Sequence, residues 1–208
     1  MRVAPEGWPF ILGAWIVAAV LAWLQVWPAF ALWLPAAIWV LAFFRDPVRN
    51  GPRGDDLVIA PADGKVVSVI PIDEPAFLRG QATRVSIFMN VFDVHVNRYP
   101  AGGRIVYRHY MQGRFLNAMA EKASADNEQC SIGLETRGGR ILVRQIAGLV
   151  ARRIVTDHGE GTEVAQGQRM GLIRFGSRVD VFVPPQATVS VRPGDTTRAG
   201  LTVVARWT

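Results

Sequence analysis

At 208 residues the chain suits one globular domain plus an appendage, and half of its residues are apolar. The formal charge is +6, and with lysine present only as Lys65 and Lys122 it rests almost wholly on arginine, whose planar fork suits phosphate and carboxylate. The single cysteine, Cys130, excludes an internal disulfide, and one cysteine with three scattered histidines makes no zinc ligand set.

No charged residue lies between Gly7 and Phe44. The run is too long for a signal-peptide core, and no small-residue cleavage site follows it. A spanning helix needs about 20 apolar residues, so the run nearly suffices for two. Pro28 interrupts it within Gln25-Val26-Trp27-Pro28. This predicts a hydrophobic helical hairpin, Trp8–Val26 followed by Ala29–Phe44. The arms are short, so one kinked span or a re-entrant pair in one leaflet stays open. Trp8, Trp23, Trp27 and Trp39 suit interfacial positions. Arg2 before the hairpin and Arg45, Arg49 and Arg53 after it predict that both ends face the cytoplasm, at the cell membrane. Arginine charge beside such a segment favours anionic lipid over nucleic acid as partner.

Asp46-Pro47 and Asn50-Gly51-Pro52-Arg53-Gly54 read as a linker, which divides the chain into an anchor, residues 1–50, and a body, residues 51–208. The body alternates short apolar runs with glycine or proline turns. Leu57–Ala60 and Lys65–Ile70 flank Asp63-Gly64, a hairpin signal. Thr83–Val96 predicts a buried strand and a turn, and Gly102-Gly103 leads into Arg104–Tyr107. Phe115–Gln129 reads as irregular or briefly helical. Ser131–Val155 predicts two strands around Gly138-Gly139, and Thr162–Arg174 a glycine turn and a strand. Ala187–Val191 and Leu201–Arg206 close the chain. The fold class expected is mainly β, a sandwich or barrel-like domain with a helical hairpin in front.

One strand is unusual. In Phe175-Gly176-Ser177-Arg178-Val179-Asp180-Val181-Phe182-Val183, valines alternate at period two behind a Gly-Ser interruption. An ordinary β-bulge with a surface serine explains it. So does a Gly176 carbonyl exposed to the Ser177 hydroxyl, poised for an N-to-O acyl shift that cuts the chain. His95 lies among Asn90, Asp93, Asn97 and Arg98 in an otherwise apolar strand, as at a strand-end site. His109 and His158 read as solvated surface, Cys130 as a small core residue and Lys65 as exposed. Asp63 is either the turn aspartate that Asp-Gly prefers or the partner that orients a histidine, which makes Ser177, His95 and Asp63 a candidate set. Ser177 lies outside any Gly-x-Ser-x-Gly elbow, which disfavours a hydrolase acting on external substrates.

The chain resembles the phosphatidylserine decarboxylase proenzymes, most closely the short bacterial and archaeal branch. The resemblance rests on Phe44-Arg45-Asp46-Pro47, Ala60-Pro61-Ala62-Asp63-Gly64-Lys65-Val66, the run from Phe88 to Arg98, Asn127-Glu128, and Phe175-Gly176-Ser177, in family order. It implies self-cleavage between Gly176 and Ser177 into a large chain, residues 1–176, and a small chain, residues 177–208. Ser177 would become a covalent pyruvoyl cofactor that forms a Schiff base with phosphatidylserine and yields phosphatidylethanolamine and carbon dioxide. His95 would be the base in self-cleavage and the proton donor after decarboxylation, and Asp63 would orient a basic partner. No metal is implied, and a homo-oligomer is left open. One departure stands out: longer members carry a second histidine where this chain has Arg98, and arginine cannot act as a base at neutral pH. Two rivals remain: a pyruvoyl decarboxylase of a soluble amino acid, and a membrane-tethered biotinyl- or lipoyl-like carrier or binding module with Lys65 as acceptor.

Overall fold

The computed structural model describes residues 2–113, 127–148, 154–174 and 177–208. Its contacts divide the chain into two compact units, Met1–Val48 and Arg49–Thr208.

In the first unit, strand β1 (Arg2–Val3) precedes a single 3-10 turn, Pro5–Gly7, and helices α1 (Trp8–Trp23) and α2 (Trp27–Phe43), followed by β2 (Arg45–Asp46). Proline opens both helices, at Pro9 and Pro28, where its missing N–H costs nothing. The reversal between them uses Gln25 at a φ of +56°. The base is closed by β1 pairing antiparallel with β2, and by the Ala4 N–H donating to the Phe44 carbonyl at 2.8 Å. Both ends of the hairpin therefore lie together. Any side chain at Gly7 would strike the Phe44 ring, so glycine there permits the closure. Trp33 Nε1 donates to the Ala14 carbonyl at 2.9 Å, tying α2 to α1. Few residues on either helix are buried, and large apolar side chains such as Trp23 and Leu32, at 81% and 82% exposure, point outward. Helices apolar all round occur in the core of a protein or across a membrane. Pro5–Trp23 is long and apolar enough to cross a membrane, and α2 falls short of that length.

In the second unit the strands are β3 (Leu57–Ile59), β4 (Gly64–Glu74), β5 (Gly80–Met89), β6 (Val96–Arg98), β7 (Gly103–Met111), β8 (Gln129–Glu135), β9 (Arg140–Ala147), β10 (Ile154–Thr156), β11 (Glu163–Val164), β12 (Arg169–Ile173), β13 (Ser177–Val183), β14 (Ala187–Val189), β15 (Thr196–Thr197) and β16 (Val203–Trp207). Eight of them form a sheet in the order β11-β7-β8-β9-β13-β5-β4-β15, which curls into a half-barrel. Two three-stranded sheets accompany it, β10-β12-β6 and β14-β16-β3. The class is mainly β with an N-terminal helical hairpin, as the sequence predicts.

Strand β13 lies inside the large sheet, antiparallel to β5 on one side and β9 on the other. All seven of its residues are buried. Val179, Val181 and Val183 enter the main core with Val85, Ile87 and Met89 of β5. Each such side chain contributes about 1.5–3 kcal/mol by leaving water. By strand alternation Ser177 shares their face. The opposite face is also covered: Phe182 packs with Phe77, Ala82 and Leu142.

Two expectations are corrected. Asp63-Gly64 does not turn a hairpin, because β3 pairs with β16 whereas β4 pairs with β5 and β15. The chain crosses there from one sheet to another. His158 is half-buried rather than solvated: Gln168 Nε2 donates to its Nε2 at 3.1 Å, so its Nδ1–H faces the Tyr99 hydroxyl at 3.3 Å. The irregular stretch read over Phe115–Gln129 lies mostly outside the described residues.

Candidate active site

Ser177 opens β13 with its side chain in the core and no exposed surface. Its register partners are Met89 on β5 and Ala147 on β9. The Ser177 hydroxyl donates to Met89 Sδ at 3.4 Å. The same sulfur receives Asn97 Nδ2 at 3.6 Å. Asn97 Oδ1 in turn accepts from Gln145 Nε2 at 2.7 Å. On the other flank Asn127 Nδ2 donates to the Ala147 carbonyl at 2.7 Å. Met89, Asn97, Asn127, Gln145 and Ser177 are all fully buried. The serine thus sits in a dry polar cluster set within an apolar core. Gly176, the other half of the expected cleavage site, lies outside the described residues.

His95 is also fully buried. The turn before it is fixed by side-chain caps: the Asn90 N–H donates to Asp93 Oδ2 and the Phe92 N–H to Asn90 Oδ1, each at 2.8 Å. His95 Nδ1 lies 3.0 Å from the Asp93 carbonyl. A carbonyl only accepts, so Nδ1 carries a proton, which in a neutral imidazole leaves the lone pair on Nε2. The Ile173 N–H donates to the His95 carbonyl at 3.4 Å, continuing the β6–β12 ladder. Ser177 is four residues beyond Ile173, no more than about 14 Å of extended chain. His95 and Asn97 are two residues apart on one extended segment and share a face. Arg98 has the opposite parity, and its Nη1 donates to the Gly167 carbonyl at 3.2 Å.

Asp63 lies between Ala62 and the close approach at Gly64, whose added Cβ would meet the Phe88 carbonyl oxygen. Both carboxylate oxygens are engaged: Arg49 Nη2 donates to Oδ2 and the Ala199 N–H to Oδ1, each at 2.7 Å. Among the described residues Asp63 contacts neither His95 nor Ser177. The basic group it holds is the Arg49 guanidinium. Lys65 is exposed and lies within a strand ladder, opposite Phe88 and Thr196, rather than at a free turn.

Sequence reasoning missed Gln145. A glutamine inside the apolar strand Arg140–Ala147 is the signal that could have found it. It also assigned no role to Arg178 and Asp180. Arg178 grips Asp180 with two bonds, Nε to Oδ1 at 2.9 Å and Nη2 to Oδ2 at 3.0 Å, with both side chains buried. Nearby, Arg144 lies 4.9 Å over the Phe182 ring, and its Nε donates to Ser131 Oγ at 3.0 Å. Burial holds the Arg144 guanidinium below its ordinary pKa, against the opposing pull of Asp180 and Glu74. Cys130 is a core residue whose thiol pKa is pushed up by burial. Among the described residues no cluster of three or more His, Cys, Asp or Glu side chains is arranged for a metal ion.

Residues 36–205 match the profile of the family described as phosphatidylserine decarboxylase. A phosphatidylserine decarboxylase proenzyme of Symbiobacterium thermophilum is 50% identical over 205 residues, covering 98% of this chain and 95% of that protein. A protein of the same name from Nitrosomonas eutropha is 48% identical over 207 residues, covering 99% and 95% respectively.

Proposed function

The chain belongs to the phosphatidylserine decarboxylase family and is a decarboxylase, and we propose that it is a membrane-anchored proenzyme that cuts itself between Gly176 and Ser177 before acting on phosphatidylserine. The observation that carries this reading is Ser177, a fully buried hydroxyl at the start of an interior strand, whose described acceptor is a thioether. Sulfur is a weak acceptor, so the hydroxyl gives up little when it turns toward a base. In self-cleavage the Ser177 Oγ proton passes to His95 Nε2 as Oγ bonds to the Gly176 carbonyl carbon. The peptide C–N bond breaks, the Ser177 nitrogen gains a proton, and an ester remains. Loss of the Ser177 Cα proton then expels the Gly176 carboxylate and leaves dehydroalanine. Its hydrolysis, with release of ammonia, gives the pyruvoyl group. Elimination must outrun hydrolysis of the ester, and the dry surroundings of Ser177 favour that outcome.

A pyruvoyl group fits this seat because it keeps the three carbons of Ser177; the nitrogen leaves as ammonia, Oγ leaves in the Gly176 carboxylate, and water supplies the keto oxygen. Once formed, it would supply an electrophilic carbonyl for the amine of phosphatidylserine and an acceptor for the electron pair left by carbon dioxide. His95 returns a proton to the product, phosphatidylethanolamine. Asp63 acts through Arg49, holding the start of the body against Ala199.

The fold is compatible with a cut at this point. The small chain, residues 177–208, begins with β13, paired on both sides, and ends with β16, paired to β3. Both sheets retain it after cleavage. The apolar hairpin would hold the enzyme at the cytoplasmic face of the cell membrane and raise the local concentration of its lipid substrate. A carrier reading is disfavoured by Lys65, which sits inside a ladder, and a soluble amino acid substrate would leave the hairpin without a purpose.

Intact-mass analysis of the purified protein tests the proposal. Two chains are expected, the smaller starting with a keto group at position 177. A single unbroken chain without activity on phosphatidylserine overturns it.

A further inference from the structure

Arg98 stands where longer family members carry a second histidine, and its Nη1 donates to the Gly167 carbonyl at 3.2 Å. What the strands bring to Ser177 instead is a pair of buried amides. Gln145 Nε2 donates to Asn97 Oδ1 at 2.7 Å, and Asn97 Nδ2 donates to the thioether sulfur that also receives the Ser177 hydroxyl. Asn97 and Gln145 have no exposed surface. They come from β6 and β9, which belong to different sheets, so the bond between them also sets the spacing of His95's segment from the strand beside Ser177.

Stability alone does not explain this pair. Gln145 Oε1 is buried with no hydrogen-bond partner among the described residues. An orphaned buried acceptor is destabilising, and two apolar side chains of the same size would avoid that cost. The amide donor of Asn97 is likewise spent on sulfur. Buried polar groups this poorly satisfied are kept for specificity or for chemistry.

We propose that Asn97 and Gln145 are positioning residues for self-cleavage in this branch, an inference that rests on the processing role of Ser177 proposed above. Gln145 fixes the Asn97 amide, and Asn97 and the Met89 sulfur together define where the Ser177 hydroxyl rests relative to His95. The amides move no proton; they hold the nucleophile in place before the base acts.

The test uses the full chain with Asn97→Leu, Gln145→Met and both together, following the uncut fraction over time by intact mass. Each single change is expected to slow cutting by about tenfold or more, and the double change to be no slower than the worse single one, because a linked pair fails as a unit. Two readouts separate positioning from mere packing. The pH midpoint of the cutting rate should stay where it is while the plateau falls. In a Ser177→Ala background, the melting temperatures should change far less than a tenfold rate loss requires. Cutting at the parental rate in both single variants overturns the inference, as does a shifted midpoint or a rate loss matched by lost stability. Processing of Ser177→Ala itself would instead sink the reading on which the inference rests.

Discussion

Ser177 and Met89 face each other across the β13–β5 ladder, with the serine hydroxyl 3.4 Å from the methionine sulfur. A hydroxyl resting on so weak an acceptor is available to a base, and His95 Nε2 is the base proposed above. Ser177→Ala is therefore expected to accumulate as one uncut, inactive chain, read by gel and by intact mass. His95→Ala should slow cutting by about 10²–10⁴-fold, the usual worth of a positioned general base. Normal maturation of His95→Ala would remove His95 from that role.

Asp63 is a test of geometry against pattern. Its carboxylate is shared between Arg49 and the Ala199 N–H, with side-chain exposures of 13% and 11% for Asp63 and Arg49. Asp63→Asn keeps an acceptor for Ala199 and loses the charge facing Arg49. It is expected to lower stability by about 1–3 kcal/mol, between an exposed pair and a buried one. Thermal melts in the Ser177→Ala background measure this. Cutting should slow only as far as the melt predicts, and a much larger loss would mean that Asp63 acts on the reacting groups.

Much of this arrangement was legible in the sequence. The uncharged run broken at Pro28 gave the hairpin, and Gly138-Gly139 between two apolar runs gave the β8–β9 pair. Ser177 and His95 stood out because each carries reactive polarity into an apolar strand. The errors came from non-local pairing. Asp63-Gly64 has local hairpin chemistry, yet its flanking strands find partners more than a hundred residues away in β16 or in a different sheet. The reading of Ser177 as a surface serine on a β-bulge stayed open because a single strand cannot reveal that its sheet is covered on both sides. Gln145 escaped notice because its meaning depends on Asn97, 48 residues earlier.

Two buried acids predict a loss of stability at high pH. Burial raises the Tyr99 phenol above its ordinary 10.0, with Asp157 adding to the effect, and burial raises the Cys130 thiol above 9.0. Unfolding releases both groups to their ordinary values, so above about pH 9 the unfolded chain binds fewer protons than the folded one. Stability present below that point should fall as pH rises through 9 and then 10. Denaturant melts from pH 7 to 11 in the Ser177→Ala background should show the decline. Cys130→Ala should remove its earlier part and Tyr99→Phe its later part. A flat profile would contradict both assignments. The same burial predicts that Cys130 resists alkylation until the chain unfolds.

The Arg178–Asp180 pair lies immediately after the expected cut, both residues on β13 and on the strand face opposite Ser177. Neither side chain is solvated, at 3% and 0% exposure. Breaking such a pair from one side leaves a buried charge without its closest partner, which typically costs about 3–5 kcal/mol, whereas replacing both partners with apolar residues costs much less. Arg178→Met and Asp180→Leu should each destabilise the Ser177→Ala chain strongly, and the double variant should recover part of the loss. A double-mutant cycle from denaturant melts measures the coupling. Strictly additive losses would show that the pair contributes nothing as a unit. Partial recovery of stability, with self-cleavage still impaired in the Ser177 protein, would show that the pair sets the geometry at the cut beyond any share in holding the sheet together.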